Sequence, residues 1–202
     1  MTITLILVLN TVVYILWNYS NAVSHEFMEA NFLVSWDAVL EGRYWTLITS
    51  VFSHSQLFHF ILNMLVLSSF GKIMLQTLGT RRLLTFYLIA GAFSSLSHCL
   101  VSTYLMHDSS IPALGASGAL TGIIMVFALI YPKEKLLLFG LVPLPAIFGA
   151  LLFIGLDIWG LVAQAGGGGL PIGHGAHLGG SFAGLVYYFG FLRKRYKQNP
   201  SY

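Results

Sequence analysis

Ser117 is the residue of this chain best placed to act as a nucleophile. It lies in the small-residue stretch Gly115-Ala116-Ser117-Gly118-Ala119, and an apolar run that reaches Ile130 follows. Flanking glycines let the backbone turn sharply and let a second chain approach the serine Oγ, a pattern typical of a loop that enters a helix with a reactive serine. The same stretch also fits a patch of small residues where two membrane helices touch. Other residues of the chain are needed to distinguish a reactive serine from such a packing patch.

His177 is the candidate general base for Ser117. Ser117 lies 16 residues before Lys133, and His177 lies 16 residues before Arg193. At a rise of ~1.5 Å per helical residue, both side chains are predicted at one depth, about 24 Å from the basic ends of their helices. A serine and a histidine at one depth could form a hydrogen-bonded catalytic pair.

Two Gly-xxx-Gly pairs favour close approach of the helices that carry these two residues. Gly118 and Gly122 follow the serine, and Gly180 and Gly184 follow the histidine. Glycines four residues apart let membrane helices bring their backbones together. The alternatives are a serine satisfied by its own helix and a structural histidine, but shared depth and facing glycines favour a Ser–His dyad. Asp157 is predicted to cap or anchor the outer end of the fifth helix, so no carboxylate is expected to complete a triad.

His59 and Asn63 are candidates for stabilising a negative charge that develops during catalysis. They are spaced i, i+4 and therefore project from one face of the second helix. An imidazole and a side-chain amide are hydrogen-bond donors of the kind found in oxyanion holes, and the backbone amide of Ser117 would add a third donor at a helix N-terminus. The alternative is that Asn63 joins the second helix to a neighbour.

A metal centre is the alternative use of the histidines. His174 and His177, with His54 and His59, could supply the imidazole ligands that zinc prefers. That site would leave Asn63 and the serine stretch without a role. We therefore expect no metal and no cofactor.

Composition places these residues in a membrane. Of the 202 residues, 56% are hydrophobic and 8% are charged, whereas soluble domains have about 25% charged residues. The formal charge of +3 is small and the basic residues are scattered, which excludes a nucleic-acid partner. The lipid bilayer is the expected surrounding.

Six apolar segments predict an all-α polytopic membrane protein with six transmembrane helices in one domain, 1–202. The segments are 2–18, 57–78, 83–105, 115–131, 136–157 and 175–192. The first lacks a basic start and a cleavage signal, so we interpret it as a retained helix. Residues 20–51 mix acidic and aromatic side chains and are predicted to form an interfacial first loop, and 193–202 are predicted to be a cytoplasmic tail.

The basic residues predict the orientation. Nine of the ten lie at one set of alternating helix ends, and only Arg43 lies at the other. By the positive-inside rule both termini are predicted to be cytoplasmic, with the site opening to the extracytoplasmic side. The expected location is a bacterial cytoplasmic membrane.

Taken together, these motifs resemble those of the rhomboid intramembrane serine proteases. The matching stretches are His54 with His59-xxx-Asn63, Gly115-Ala-Ser117-Gly, and Ala176-His177-Leu-Gly-Gly180-xxx-Gly184. They occur in the family's order and cover nearly the whole chain. The branch resembled most is that of the mitochondrial rhomboids, with a six-helix core only.

The resemblance implies a serine endopeptidase that cuts in or near the transmembrane segments of other membrane proteins. Ser117 would be the nucleophile and His177 the base, while His59, Asn63 and the Ser117 amide would form the oxyanion hole. His54 would hold the first loop or a water molecule. The alternative is a catalytically inactive relative that binds membrane proteins.

Two positions depart from the family pattern, and a third feature concerns access to the site. Trp45-Thr46 replaces the Trp-Arg that many members have in the first loop, and Thr121 replaces a tyrosine that stacks on the histidine in some members. The four glycines at 166–169 have high backbone entropy. They predict a mobile cap over residues 158–173, with the fifth helix gating substrate entry.

Overall fold

The computed structural model describes residues 2–138 and 142–197. The elements in chain order are α1 (Thr2–Tyr19), α2 (His25–Phe32), α3 (Trp36–Leu40), α4 (Thr46–Thr49), a 3-10 turn (Ser50–Phe52), α5 (Leu57–Leu78), α6 (Thr80–Tyr104), α7 (Ser117–Ile130), β1 (Lys135–Leu138), β2 (Val142–Pro145), α8 (Ala146–Ala165), α9 (His174–Tyr187), a π-helical turn (Tyr188–Leu192) and α10 (Arg193–Lys197).

The predicted class, an all-α polytopic membrane protein, is confirmed. Among the described residues, four helices, α1, α5, α6 and α8, are long and apolar enough to cross a membrane. Helix α7 is apolar but shorter, with 14 residues. Helix α9 runs without a break through the π-helical turn into α10, so its helical path is longer than its own 14 residues.

Helix α7 is the centre of the bundle and contacts α5, α6, α8 and α9. Its closest neighbour is α9, and small residues make this approach possible. A Cβ added at Gly180 would lie 1.8 Å from the carbonyl oxygen of Gly118, and one added at Gly184 would lie 2.7 Å from that of Gly122. The two glycine pairs therefore face each other, and any larger side chain at Gly180 would separate the helices.

The fifth helix begins later than the sequence analysis predicted. Residues 135–138 and 142–145 form an antiparallel β-hairpin in which Lys135 pairs with Pro145, and α8 starts only at Ala146. Prolines 143 and 145 have no backbone N–H to donate and interrupt a helix, whereas the edge of a two-stranded hairpin tolerates them. The prediction of a helix over 136–157 is wrong at both ends, and Asp157 lies inside α8 instead of at its outer end.

The segment 20–51 forms the short helices α2, α3 and α4 instead of an irregular loop. Ser24 and Ser35 cap α2 and α3 by accepting hydrogen bonds from backbone amides at 3.1 Å. A single antiparallel bridge joins Val34 to Ala113. The segment is therefore tied to the loop that leads into Ser117, and its interfacial location remains a prediction.

The departure at Trp45-Thr46 has a local structural explanation. Thr46 is fully buried, and its hydroxyl donates to the carbonyl of Arg43 at 2.7 Å. The Trp45 indole donates to the side-chain oxygen of Asn31 at 3.1 Å. These bonds connect α4 to the preceding turn and to α2, so this segment is anchored without an arginine at position 46.

Candidate active site

Ser117 is the first residue of α7, and Gly115 sets the turn that brings it there. Gly115 has φ 120°, a value that side chains disfavour, and its N–H donates to the carbonyl of Ser50 at 2.9 Å. A Cβ at Gly115 would lie 2.6 Å from the His59 ring. Glycine is thus required here both for the backbone angle and for the space that His59 occupies.

His177 lies in the first turn of α9 and contacts Ser117 directly. The distance between His177 Nε2 and Ser117 Oγ is 2.8 Å. Three hydroxyl groups hold the start of α9 in place. Ser94 and Ser97 of α6 donate to the carbonyls of residues 176 and 175 at 2.8 and 2.9 Å, and Thr121 of α7 donates to that of His177 at 3.0 Å. Thr121 thus contacts the backbone of the histidine residue instead of its ring.

A carboxylate reaches His177, contrary to the sequence analysis. Asp157 Oδ1 lies 3.0 Å from Nδ1 of His177 and 2.7 Å from Nδ1 of His174. Asp157 is 8% exposed. Because a carboxylate only accepts hydrogen bonds, this contact assigns the proton of His177 to Nδ1 and leaves Nε2 free to accept from Ser117. The predicted dyad is in fact extended by Asp157, which supports the imidazole in place of a stacked aromatic ring.

Gly160 explains how α8 comes close enough to α9 for this contact. A Cβ at Gly160 would lie 2.2 Å from Nε2 of His174, so the His174 ring packs directly on the α8 backbone. Asp157 and Gly160 are three residues apart and share one face of α8. An acidic residue inside a membrane segment is by default a functional candidate. The presence of Asp157 in such a segment, with Gly160 on the same helix face, could therefore have indicated its contact with His174 and His177.

His59 and Asn63 lie on α5 and line the same cavity as Ser117, which has a volume of about 1000 Å³. The Asn63 side chain is 5% exposed, and its amide nitrogen donates one hydrogen bond to the carbonyl of His59 at 2.8 Å. An amide nitrogen carries two hydrogens, and the second has no acceptor within residues 2–138 and 142–197, so it could donate to a ligand. Their catalytic roles stay predictions.

His54 is fully buried just before α5 and supports the turn that carries Ser117. Its Nε2 accepts a hydrogen bond from the backbone N–H of Ala116 at 3.4 Å, and its ring meets that of His59 with centroids 5.0 Å apart. Burial, and to a lesser degree His59, lowers the pKa of His54 to about 3. The ring is therefore neutral at physiological pH, with its proton on Nδ1, which has no partner in the part of the chain that the structure describes.

The cavity extends between α5 and α8, which both contribute to its lining. These helices flank α7 but make almost no contact with each other. Large apolar side chains line the cavity on both sides, including Leu62 and Val66 of α5 and Phe153 and Leu156 of α8. The two helices therefore leave a gap with apolar walls beside Ser117.

The predicted cap is shorter than expected. Residues 158–165 belong to α8, which leaves 166–173 as the loop before α9. Gly167 and Gly169 have φ 81° and 85°, values that favour glycine. Gln164 donates from its side chain to the carbonyls of Leu170 and Ile172 at 2.6 and 2.8 Å, so a defined contact folds this loop back onto the end of α8.

The histidines do not form the metal site of three or four imidazoles that was the alternative. His54 is engaged with Ala116, while the candidate ligand atoms of Asp157, His174 and His177 lie within 4.8 Å of one another. These three could ligate a metal ion. Both Nδ1 atoms already donate to the carboxylate, however, so hydrogen bonding alone accounts for the arrangement.

Comparisons with known proteins place this geometry in a family. A profile of the Rhomboid domain matches residues 41–194. The chain is 29% identical to RHOMBOID-like protein 12, mitochondrial, of Arabidopsis thaliana over 95% of this chain and 59% of the relative. It is 33% identical to Rhomboid protein 1, mitochondrial, of Saccharomyces cerevisiae over 89% and 50%. It is 32% identical to Presenilin-associated rhomboid-like protein A, mitochondrial, of Danio rerio over 94% and 47%.

The relatives correct the predicted location. The chain spans about half the length of these relatives, and all three are named as mitochondrial. The prediction of a bacterial cytoplasmic membrane is therefore wrong, since the relatives point to an organellar membrane. The distribution of basic residues indicates which helix ends lie on the same side of a membrane, but it does not identify the membrane. From the matched domain and these relatives, the chain belongs to the rhomboid family, in the branch that includes the mitochondrial rhomboids.

Proposed function

We propose that this protein is a serine endopeptidase of an organellar membrane that hydrolyses peptide bonds in or near the transmembrane segments of other membrane proteins. The observation that carries the proposal is the line of contacts from Ser117 Oγ to His177 Nε2 at 2.8 Å and from His177 Nδ1 to Asp157 at 3.0 Å. A hydroxyl, an imidazole and an orienting carboxylate in this order are the parts of an activated serine nucleophile.

The proposed reaction uses each atom of this line. His177 Nε2 takes the Ser117 hydroxyl proton as Oγ attacks the peptide carbonyl carbon, and Asp157 stabilises the imidazolium that forms. His177 then gives the proton to the leaving nitrogen, which releases the amine and leaves an ester on Ser117. His177 Nε2 next takes a proton from a water molecule, whose oxygen attacks the carbonyl carbon of the ester. The new carboxyl group leaves, and Nε2 returns the proton to Oγ of Ser117.

Donors around the first turn of α7 would stabilise the oxyanion. The backbone amide of Ser117 is at the N-terminus of α7, where the helix dipole favours negative charge. Asn63 and His59 line the same cavity from α5. Each such donor typically contributes about 10²–10³ in rate.

The apolar gap between α5 and α8 supports substrates that arrive within the bilayer. A transmembrane segment cannot reach Ser117 from water without leaving the lipid, so we infer that it enters the cavity through this gap. Helix α8 and the loop 166–173 are the proposed gate, because movement of α8 away from α5 would widen the entrance without disturbing the α7–α9 contact.

The test is cleavage of a single-span substrate by the purified protein in detergent. Ser117→Ala and His177→Ala should each lower the rate by about 10⁴-fold or more, and the double variant should be no slower than either single one because the two residues act as a unit. Ser69→Ala and His25→Ala, at exposed positions outside the cavity lining, are matched controls that should cleave normally.

Two results would contradict the proposal. Turnover retained by Ser117→Ala but abolished by a chelator would indicate metal-dependent hydrolysis by Asp157, His174 and His177. A wild-type protein that binds the substrate and never cuts it would be the non-catalytic binder.

A further inference from the structure

A second cleft lies at the end of the bundle opposite Ser117. It has a volume of about 1020 Å³ and runs between the first half of α6 and the second half of α9 with the π-helical turn that follows it. Helices α7 and α9 carry Ser117 and His177 in their first turns, whereas α6 starts at the other end of the bundle. The cleft is thus separate from the candidate active site.

The walls of this cleft are apolar and exposed. Ile89 and Phe93 on α6 are 60% and 40% exposed, and Phe182 and Val186 on α9 are 55% and 49% exposed. Two aromatic stacks bridge the helices across the cleft. Phe86 stacks on Tyr187 with ring centroids 4.5 Å apart, and Phe93 stacks on Phe182 at 6.0 Å. In a membrane-spanning protein, such a groove is filled by hydrocarbon.

Two cations lie at the mouth of the cleft. Arg81 and Arg82 are exposed in the first turn of α6, which no side chain caps. The ion pairs found within residues 2–138 and 142–197 involve neither arginine. At ~1.5 Å per residue, Ile89 and Phe93 lie about 10 and 16 Å further along the helix from Arg82. The groove therefore has positive charge at its mouth and apolar surface further in, which matches the arrangement of the head group and acyl chain in a phospholipid.

We propose that this cleft binds an anionic phospholipid of the surrounding bilayer. Arg81 and Arg82 receive its phosphate at the N-terminus of α6, and an acyl chain lies along Ile89 and Phe93. A soluble phosphate would leave the apolar groove unused, and a lipid without net charge would leave an excess of positive charge at the mouth. Only an anionic amphiphile matches both parts of the site.

A lipid in this position would stabilise the helix pair that carries His177. The cleft walls are α6 and α9, and further along the same two helices Ser94 and Ser97 hold the first turn of α9. Bound lipid would contact both α6 and α9 at the cleft, where the side chains that line the groove are exposed. We therefore expect the anionic lipid to raise the thermal unfolding temperature more than a zwitterionic lipid does.

The test is native mass spectrometry of the full chain in detergent, titrated with phosphatidylglycerol or phosphatidylcholine. The double variant Arg81→Gln/Arg82→Gln should bind phosphatidylglycerol about tenfold more weakly or worse, with phosphatidylcholine binding unchanged. The double variant Lys133→Gln/Lys135→Gln removes the same charge from exposed positions outside the cleft. It should bind both lipids as the wild type does.

A second variant tests the apolar part with both arginines in place. Ile89→Trp fills the groove from an exposed position and should weaken phosphatidylglycerol binding by a similar factor, with the unfolding temperature in lipid-free detergent unchanged. Three results would overturn the proposal. Equal losses of phosphatidylglycerol binding in the arginine and lysine variants would mean nonspecific electrostatic attraction. Competition by glycerol 3-phosphate would mean a site for free phosphate, and unchanged phosphatidylglycerol binding by Ile89→Trp would mean that the groove holds no acyl chain.

Discussion

The two sides of α7 are built differently. On one side, α9 and α6 pack on α7 through glycine and serine, with Gly180 so close to Gly118 that even a methyl group would not fit. On the other side, α5 and α8 present large side chains such as Leu62 and Phe153, at 44% and 48% exposure, and barely touch each other. The first side is a closed interface and the second is open.

The difference separates two requirements of the proposed chemistry. A proton transfer between Ser117 and His177 needs a fixed distance, and small residues fix it by allowing backbone contact over several turns. Entry of a transmembrane segment needs elements that can move apart, and loosely packed large side chains resist this less. Asp157 connects the two sides, because it lies on α8 of the open side and accepts a hydrogen bond from His177 on α9 of the closed side.

The largest effect is expected from crowding the closed interface. In Gly180→Ala, the added Cβ would lie 1.8 Å from the carbonyl oxygen of Gly118, so α7 and α9 must separate and the Ser117–His177 bond is lost. We expect no measurable cleavage and a lower unfolding temperature, since overpacking costs about 1–3 kcal/mol or more.

The matched control is Gly155→Ala on α8, where a Cβ would meet nothing within 4 Å. It should cleave normally and unfold at the same or a slightly higher temperature. Equal loss in both variants would mean that the two sides do not differ in packing.

A smaller effect is expected from changing the contact that joins the two sides. Asp157→Asn keeps the size of the side chain but removes the charge that stabilises the His177 imidazolium, so the turnover rate should fall by about 10²–10⁴. Glu134→Gln, at an exposed position, is the charge-matched control. A normal rate for Asp157→Asn, with an unchanged unfolding temperature, would show that the protein works as a Ser–His dyad.

The contact between Ser117 and His177 on the closed side could be predicted from the sequence, whereas the contact of Asp157 with His177 was not predicted, for a physical reason. Ser117, His177 and their glycines lie on helices whose apolar runs fix both position and face, so their pairing follows from spacing. Asp157 depends on where α8 begins, and the apolar residues at 136–145 look the same in a hairpin as in a helix. Prolines 143 and 145 were the distinguishing signal, because a helix that starts after them has Asp157 inside it instead of at its outer end.

The open side can be tested by fixing it. With cysteines introduced at Leu62 and Phe153, a flexible bis-maleimide that joins α5 to α8 should slow cleavage of a membrane-spanning substrate about tenfold or more, because the gap can no longer widen. Labelling of Ser117 by a small probe should not change. The two single-cysteine variants treated with the same reagent are the controls. Normal cleavage after cross-linking would show that substrates do not enter between α5 and α8.

The most direct measurement of the central claim is covalent labelling by a fluorophosphonate, read by mass spectrometry of the labelled peptide. The probe reacts with a serine only when a neighbouring base activates it. We predict one modified residue, Ser117, with labelling strongly reduced in His177→Ala although Ser117 is present. Labelling of a different serine, or undiminished labelling of Ser117 without His177, would contradict the proposal that these two residues form the catalytic pair.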